Sequence, residues 1–143
     1  IDLGADAYRI NRRMFGVKSK ARIAMEREVL DSLVYAMDGR IAVIAVTGEM
    51  LARTGAQESE LDGLSSIPRE IEGVKVGITL REKEGGFKVS LRTVEKIDAS
   101  QICAAFGGGG HARAAGCFIP EPLEQCRDKI IQAAQAACKE AGL

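Results

Sequence analysis

The sequence predicts an α+β fold, a single small domain in which a mixed β-sheet is flanked by helices. Three stretches carry that prediction. Residues 40–47 (RIAVIAVT) are a short, continuous apolar run rich in β-branched side chains, as in a strand buried on both faces. Residues 74–82 and 87–93 alternate apolar and polar side chains around Gly85-Gly86, the pattern of a hairpin with one buried face. The two ends of the chain instead repeat apolar residues at helical spacing.

The elements follow in order. Asp6 stands where a helix would be capped, with Tyr8, Ile10 and Met14 as its apolar face and Gly16 as its end. A second helix is predicted from Ser19 to Met37, where Ile23, Val29 or Leu30, Leu33, Val34 and Met37 recur near helical period. Asp38-Gly39 is a turn, and the buried strand follows. Residues 50–57 read as loop or short helix. Leu61, Leu64 and Ile67, three apart, predict a helix over 58–67 that Pro68 ends; Ser59 and Ser65 on it are solvated rather than nucleophilic, because no base lies near them.

In the hairpin, Val74, Val76, Ile78 and Leu80 share a face with Phe87, Val89 and Leu91. The opposite face carries Lys75, Gly77, Thr79, Arg81, Lys88, Ser90 and Arg92, so it is polar, basic and partly bare at Gly77. Asp98 caps a short helix with Ile102, Ala105 and Phe106 turned inward. Cys117 to Ile119 is a short strand. A last helix begins at Pro122, buries Leu123, Cys126, Ile130, Ala133 or Ala134, and Ala137, and ends near Gly142.

Composition narrows the function. The formal net charge is zero, so attraction for a polyanion has to be a patch effect; residues 9–27 are basic and residues 49–72 acidic. No apolar run approaches the length of a membrane span. The four cysteines contain no C-x-x-C pair and sit among alanines, which suits small buried side chains in a reducing, cytoplasmic setting. With a single histidine and no paired cysteines, a structural zinc site is excluded as an expectation. No cluster of carboxylates and histidines for metal-assisted hydrolysis is visible, so no catalytic residue and no metal ligand is assigned. The sequence opens at Ile1 without a methionine, as a piece of a longer protein or a processed chain would.

The chemistry concentrates in residues 107–116, GGGGHARAAG, which contain the only histidine. Glycines let an anion approach backbone N–H groups that a Cβ would shield. His111 to Ala115 suits one helical turn closed by Gly116, so the run would open onto a helix N-terminus able to hold phosphate. A bare run of four glycines reads as a flexible turn, and a lone histidine as a surface or core residue. The longer pattern, with Ser90 and Arg92 on the strand before it, favours a phosphate site: Arg92 as a bidentate fork, the amides of Gly107, Gly108, Gly109 and Gly110 as further donors, and His111 at the rim. Phe106, Phe118 and Tyr8 read as structural, so base-specific recognition is not expected.

The glycines, His111 and Ala114-Ala115-Gly116, in register, resemble the C-terminal DHH-associated domain of DHH-family phosphoesterases. The resemblance spans essentially the whole chain, with residues 5–15 similar to a connector and residues 88–93 to a substrate-facing strand. It implies that residues 1–37 are the connector helix and first domain helix, and residues 38–143 the substrate-binding domain. It further implies a separate N-terminal DHH domain carrying the metal ligands, typically for manganese (Mn2+), with no counterpart in this sequence. Ser90, Arg92, Gly108 to Gly110 and His111 would then bind substrate phosphate or sugar. The short layout is most similar to bacterial nanoRNases, which act on short oligoribonucleotides and 3′-phosphoadenosine 5′-phosphate. RecJ-type single-strand exonucleases share part of the signature, and cyclic-dinucleotide phosphodiesterases tend to replace its AAG ending. The implied partners are short RNA or single-stranded nucleic acid and phosphorylated nucleotides, without a membrane; a homodimer stays open. The other reading is a nucleotide- or nucleic-acid-binding module with no catalytic partner.

Overall fold

The computed structural model describes residues 6–143, the side chains of Arg13 and Phe15 excepted. One six-stranded sheet has the order β1-β2-β3-β4-β6-β5, with β1 Val34–Ala36, β2 Ile41–Val46, β3 Val76–Lys83, β4 Gly86–Thr93, β5 Gly109–Gly110 and β6 Ala114–Ile119. β2 and β3 are parallel, and every other neighbouring pair is antiparallel. The helices are α1 Ala7–Asn11, α2 Lys20–Asp31, α3 Gly48–Thr54, α4 Ala99–Ala104 and α5 Leu123–Glu140. The fold is the predicted α+β arrangement with a mixed sheet.

Each face of the sheet has its own cover. Ile41, Val43, Val76, Ile78, Leu80, Val89, Leu91 and Ile119 pack against α4 and α5, whose buried residues include Ile102, Cys126, Ile130, Ala134 and Cys138. Those last four recur every four residues along α5 and make a narrow seam suited to a flat sheet. On the other face, Ile44 and Val46 pack against Met25 and Val29 of α2, Met50 of α3, and Leu61 and Leu64. β2 therefore meets a layer on each side, and all six of its residues are buried, as its unbroken apolar run requires. All four cysteines are buried and unpaired.

Several expectations are corrected. The helix predicted over residues 19–37 stops at Asp31, capped at its start by the Ser19 hydroxyl, which accepts from Arg22 N at 3.0 Å. Val34–Ala36 instead pairs with β2 through a turn in which Met37, Asp38 and Gly39 all have positive φ. The buried face of α2 is Met25 and Val29, while Ile23 and Leu30 are exposed. The predicted helix at 58–67 is a chain of single 3-10 turns, and Pro68 begins the last of them rather than ending a helix. Leu61 and Leu64 are nevertheless buried, because spacing three is also the period of the tighter helix. α1 buries nothing: Tyr8 and Ile10 are exposed, as is Met14 in the π-helical turn Arg12–Gly16 that follows, and Asp6 makes no side-chain cap bond. Ala105 is exposed, and Cys103 takes its place beside Ile102. Ala5, where the family likeness begins, lies outside the described residues.

A candidate anion-binding trough on the open sheet face

The glycine segment is a β-hairpin, not a turn into a helix. Gly107, in the turn after α4, has a φ of +76° that turns the chain back, and β5 then lies antiparallel along β6. The tip is Ala112-Arg113, closed by His111 N donating to Ala114 O at 2.8 Å and Ala114 N to His111 O at 3.2 Å. The helical turn expected at His111–Ala115 is absent, and Gly116 lies inside β6 rather than at a helix end. The free edge of β4 decides this: residues 114–119 pair along it from Ala114 to Ile119.

The register sorts the signature residues by role. Thr79, Ser90, Gly116 and Gly109 form one row across β3, β4, β6 and β5. Gly77, Arg92 and Ala114 form the next, which His111 extends by pairing with Ala114. Directly paired residues share a face. The floor between Ser90 and Arg92 on one side and the glycine strand on the other is thus glycine and alanine, a shallow trough. Ala115 and Cys117, one step out of phase, turn into the core.

The four glycines answer to different demands. A Cβ on Gly108 would lie 2.2 Å from Gly116 O and 2.6 Å from the Cys117 Cβ. Gly110 has φ +148° and a Cβ there would meet Ala114 O at 2.6 Å. Gly107 needs its left-handed conformation. Gly109 alone combines open space within 4 Å with a backbone conformation that any residue adopts, and by its pairing with Gly116 it borders the trough. Beneath the strand, contact with Cys103, and burial after it, push the Cys117 thiol up, so it stays protonated.

Donor availability is narrower than the sequence suggests. Gly107 N donates to Ala104 O at 3.0 Å and Gly108 N to Cys103 O at 2.9 Å, so those two amides finish α4 and are not free for an anion. β5 is an edge strand and keeps an unpaired outer row of backbone groups. Arg92 is half-buried, donates through Nη1 to Leu91 O at 3.0 Å, and has no carboxylate partner among the described residues. Ser90 is half-buried and His111 is exposed. A cavity of about 160 Å³ opens beside Ser90, walled by Thr79, Lys88 and the turn at Gly63 to Ser65.

Two features of this face differ from expectation. Gly77 is not bare: its Cβ would lie 2.9 Å from Arg69 N and 3.1 Å from the Pro68 Cβ, so its absence admits the 3-10 turn at Pro68–Glu70 onto the sheet. Phe118 is 43% exposed and pairs with Lys88 on the trough side, rather than being structural. The inward alternation of Ala115, Cys117 and Ile119 was the available signal for Phe118. Among the described residues, no group of three or more His, Cys, Asp or Glu side chains could hold a metal ion, so the donor set here does not fit manganese. No described helix is long and apolar enough to cross a membrane.

The mixed sheet thus carries a glycine-alanine trough with Arg92, unpaired among the described residues, at its side. The DHHA1 domain family matches residues 38–140, and the chain belongs to that family, the DHH-associated C-terminal domain. It is 32% identical over 116 residues to the bifunctional oligoribonuclease and PAP phosphatase NrnA of Thermus thermophilus, covering 80% of this chain and 34% of that protein. The chain thus spans about a third of that relative's length. Over 40 residues it is 53% identical to the oligoribonuclease NrnB of Bacillus subtilis, covering 27% of this chain and 10% of that protein. A crystal structure of an exopolyphosphatase-related protein from Bacteroides fragilis superposes with a TM-score of 0.82 at 27% identity, covering 96% of this chain and 41% of that one.

Proposed function

We propose that this domain holds the phosphate of a short oligoribonucleotide, or of 3′-phosphoadenosine 5′-phosphate, for hydrolysis by a manganese-dependent DHH domain outside this chain. The observation that carries the reading is the pairing of opposites across the trough: an uncompensated Arg92 on one side and, on the other, a glycine the fold itself does not require. Arg92 grips the phosphate with its fork, Ser90 and His111 donate from either side, and Gly109 and Gly110 let the anion reach the edge of β5. Gly107 and Gly108 shape the strand without touching the ligand. The names of the relatives, an oligoribonuclease with PAP phosphatase activity and a second oligoribonuclease, support the substrate class. The residues up to Asp31 then act as connector and first helix, with Val34–Ala36 already part of the sheet, and the setting is cytoplasmic, in keeping with four reduced cysteines.

The test is an amide-resolved NMR titration of the chain with 3′-phosphoadenosine 5′-phosphate and a 5′-phosphorylated dinucleotide. Shifts should concentrate at Ser90, Arg92, Gly109, Gly110 and His111. Arg92→Ala should weaken binding at least about tenfold, the loss of one charge-assisted hydrogen-bonding group, with the fold intact. Equal affinity in the variant would sink the proposal.

A further inference from the structure

Beyond Arg92, at the end of β4, lies a cavity of about 250 Å³ lined by Arg69, Lys75, Gly77, Arg92 and Arg113 and by no acidic residue. That is below the ~300 Å³ at which pockets for drug-sized ligands begin, and ample for one phosphate group. Four cations share it, although the chain as a whole is neutral. None of the four forms an ion pair among the described residues, whereas six other cations do. Glu70 and Glu72, which stand between Arg69 and Lys75 in sequence, do not line the cavity. Asp98 is close enough to feel the charge of Arg113, but its carboxylate is occupied in capping α4.

Separate elements of the fold fix these residues around one point. Arg69 is placed by the crossover between β2 and β3, and its backbone comes down on Gly77, where a Cβ would be 2.9 Å away. Arg113 is at the hairpin tip, tied to Val94 O through Nη1. Lys75 is fixed by its backbone N–H, which donates to Arg40 O at 2.7 Å. Like charges gathered in a concavity repel one another and favour an anion between them.

We propose that Arg69, Lys75 and Arg113 form a second phosphate subsite beside the trough, with Arg92 between the two. The inference rests on the phosphate-holding reading of the trough and gives its ligand class: a nucleotide with two phosphates, one at Gly109 and His111 and one in the cationic cavity. Successive rows along a strand are about 6.8 Å apart, so the two positions suit consecutive phosphates of a short extended chain or the two phosphates of one nucleoside.

The experiment measures the affinity of the chain for adenosine 5′-monophosphate, 3′-phosphoadenosine 5′-phosphate and a 5′-phosphorylated diadenylate. It compares the native chain with an Arg69→Gln, Lys75→Gln double variant, whose side chains make no hydrogen bond among the described residues. A Lys20→Gln, Lys139→Gln pair, neither of which lines the cavity, controls for net charge. The native chain should bind at least one two-phosphate ligand about tenfold or more tighter than the monophosphate, as one added charge-assisted contact implies. The double variant should lose that preference while its monophosphate affinity stays within about twofold, and the control should keep it. Which two-phosphate ligand gains tells a terminal phosphate from a bridging one. A native chain with no such preference, a preference that survives in the double variant, or an equal loss for the monophosphate overturns the second subsite. In those cases a monophosphate that still shifts Gly109, Gly110 and His111 leaves the trough reading standing. A chain that binds none of the three ligands overturns both.

Discussion

Four identical residues in a row, Gly107 to Gly110, are four different constraints, and substitution should separate them. Gly108→Ala drives a Cβ to 2.2 Å from Gly116 O, and backbone on both sides cannot yield easily. Overpacking of this kind costs about 1–3 kcal/mol, which lowers the melting temperature by several degrees. Gly109→Val meets nothing within 4 Å, so thermal stability should stay within about 2 °C of the native chain. Its binding of 3′-phosphoadenosine 5′-phosphate should fall at least about tenfold, because the new side chain stands over the trough. Calorimetry for stability and titration for binding check the pair. If Gly109→Val binds like the native chain, close approach at the glycine strand is not how the ligand is held.

α4 is the element on which the trough hangs, although none of its side chains enters it. Its last turn delivers Gly107, and its first residue anchors the hairpin tip: Ala99 N donates to Ala112 O at 2.8 Å, and Thr93 Oγ1 lies 2.9 Å from the same oxygen. Its cap, Asp98, accepts from the Ser100 hydroxyl and from the amides of Ser100 and Gln101. The Ser100 hydroxyl bond, with those amides and Arg113 behind it, holds the Asp98 carboxyl below the usual aspartate range. The folded pKa is therefore below the unfolded value of about 3.9. The cap's contribution is complete above that value and is lost as pH falls through the folded one. Asp98→Asn should accordingly be less stable than the native chain at neutral pH, with the difference shrinking as pH drops below about 3.9. Denaturant melts at pH 7 and at low pH measure it; a difference that stays constant or grows on acidification would remove Asp98's charge from the capping role.

Taken whole, the chain is neutral, so any attraction for a polyanion comes from local patches. The acidic residues between Glu49 and Glu72 lie largely in the α3 and 3-10 layer, while the trough presents Lys88, Ser90 and Arg92. Raising the ionic strength from about 0.1 M to about 1 M shortens the screening length from about 10 Å to about 3 Å. Affinity for a 5′-phosphorylated dinucleotide should fall by roughly an order of magnitude over that range, since phosphate contacts carry the binding. A salt-independent affinity would point instead to stacking, with exposed Phe118 as the surface available for it.

The parts of this molecule that were legible in the chain are those whose period alone decides their state. The apolar run of β2, the alternation of β3 and β4, and the Asp98 cap each encode their state within a few residues and are found as read, and the helical period of α5 is found with its seam running through Cys138 where Ala137 was expected. The glycine signature was visible too, but its shape was not: GGGGHARAAG has no period, and it becomes two strands because β4 offers an open edge. Val34–Ala36 likewise passes from helix to strand because β2 is there to pair with it. Register then places Ser90, Gly116 and Gly109 in one row, and the β2–β3 crossover carries Arg69 to Arg92. Local propensity is a matter of tenths of a kcal/mol to about one per residue, and burial and pairing across the sheet outweigh it wherever the chain has no strong period of its own.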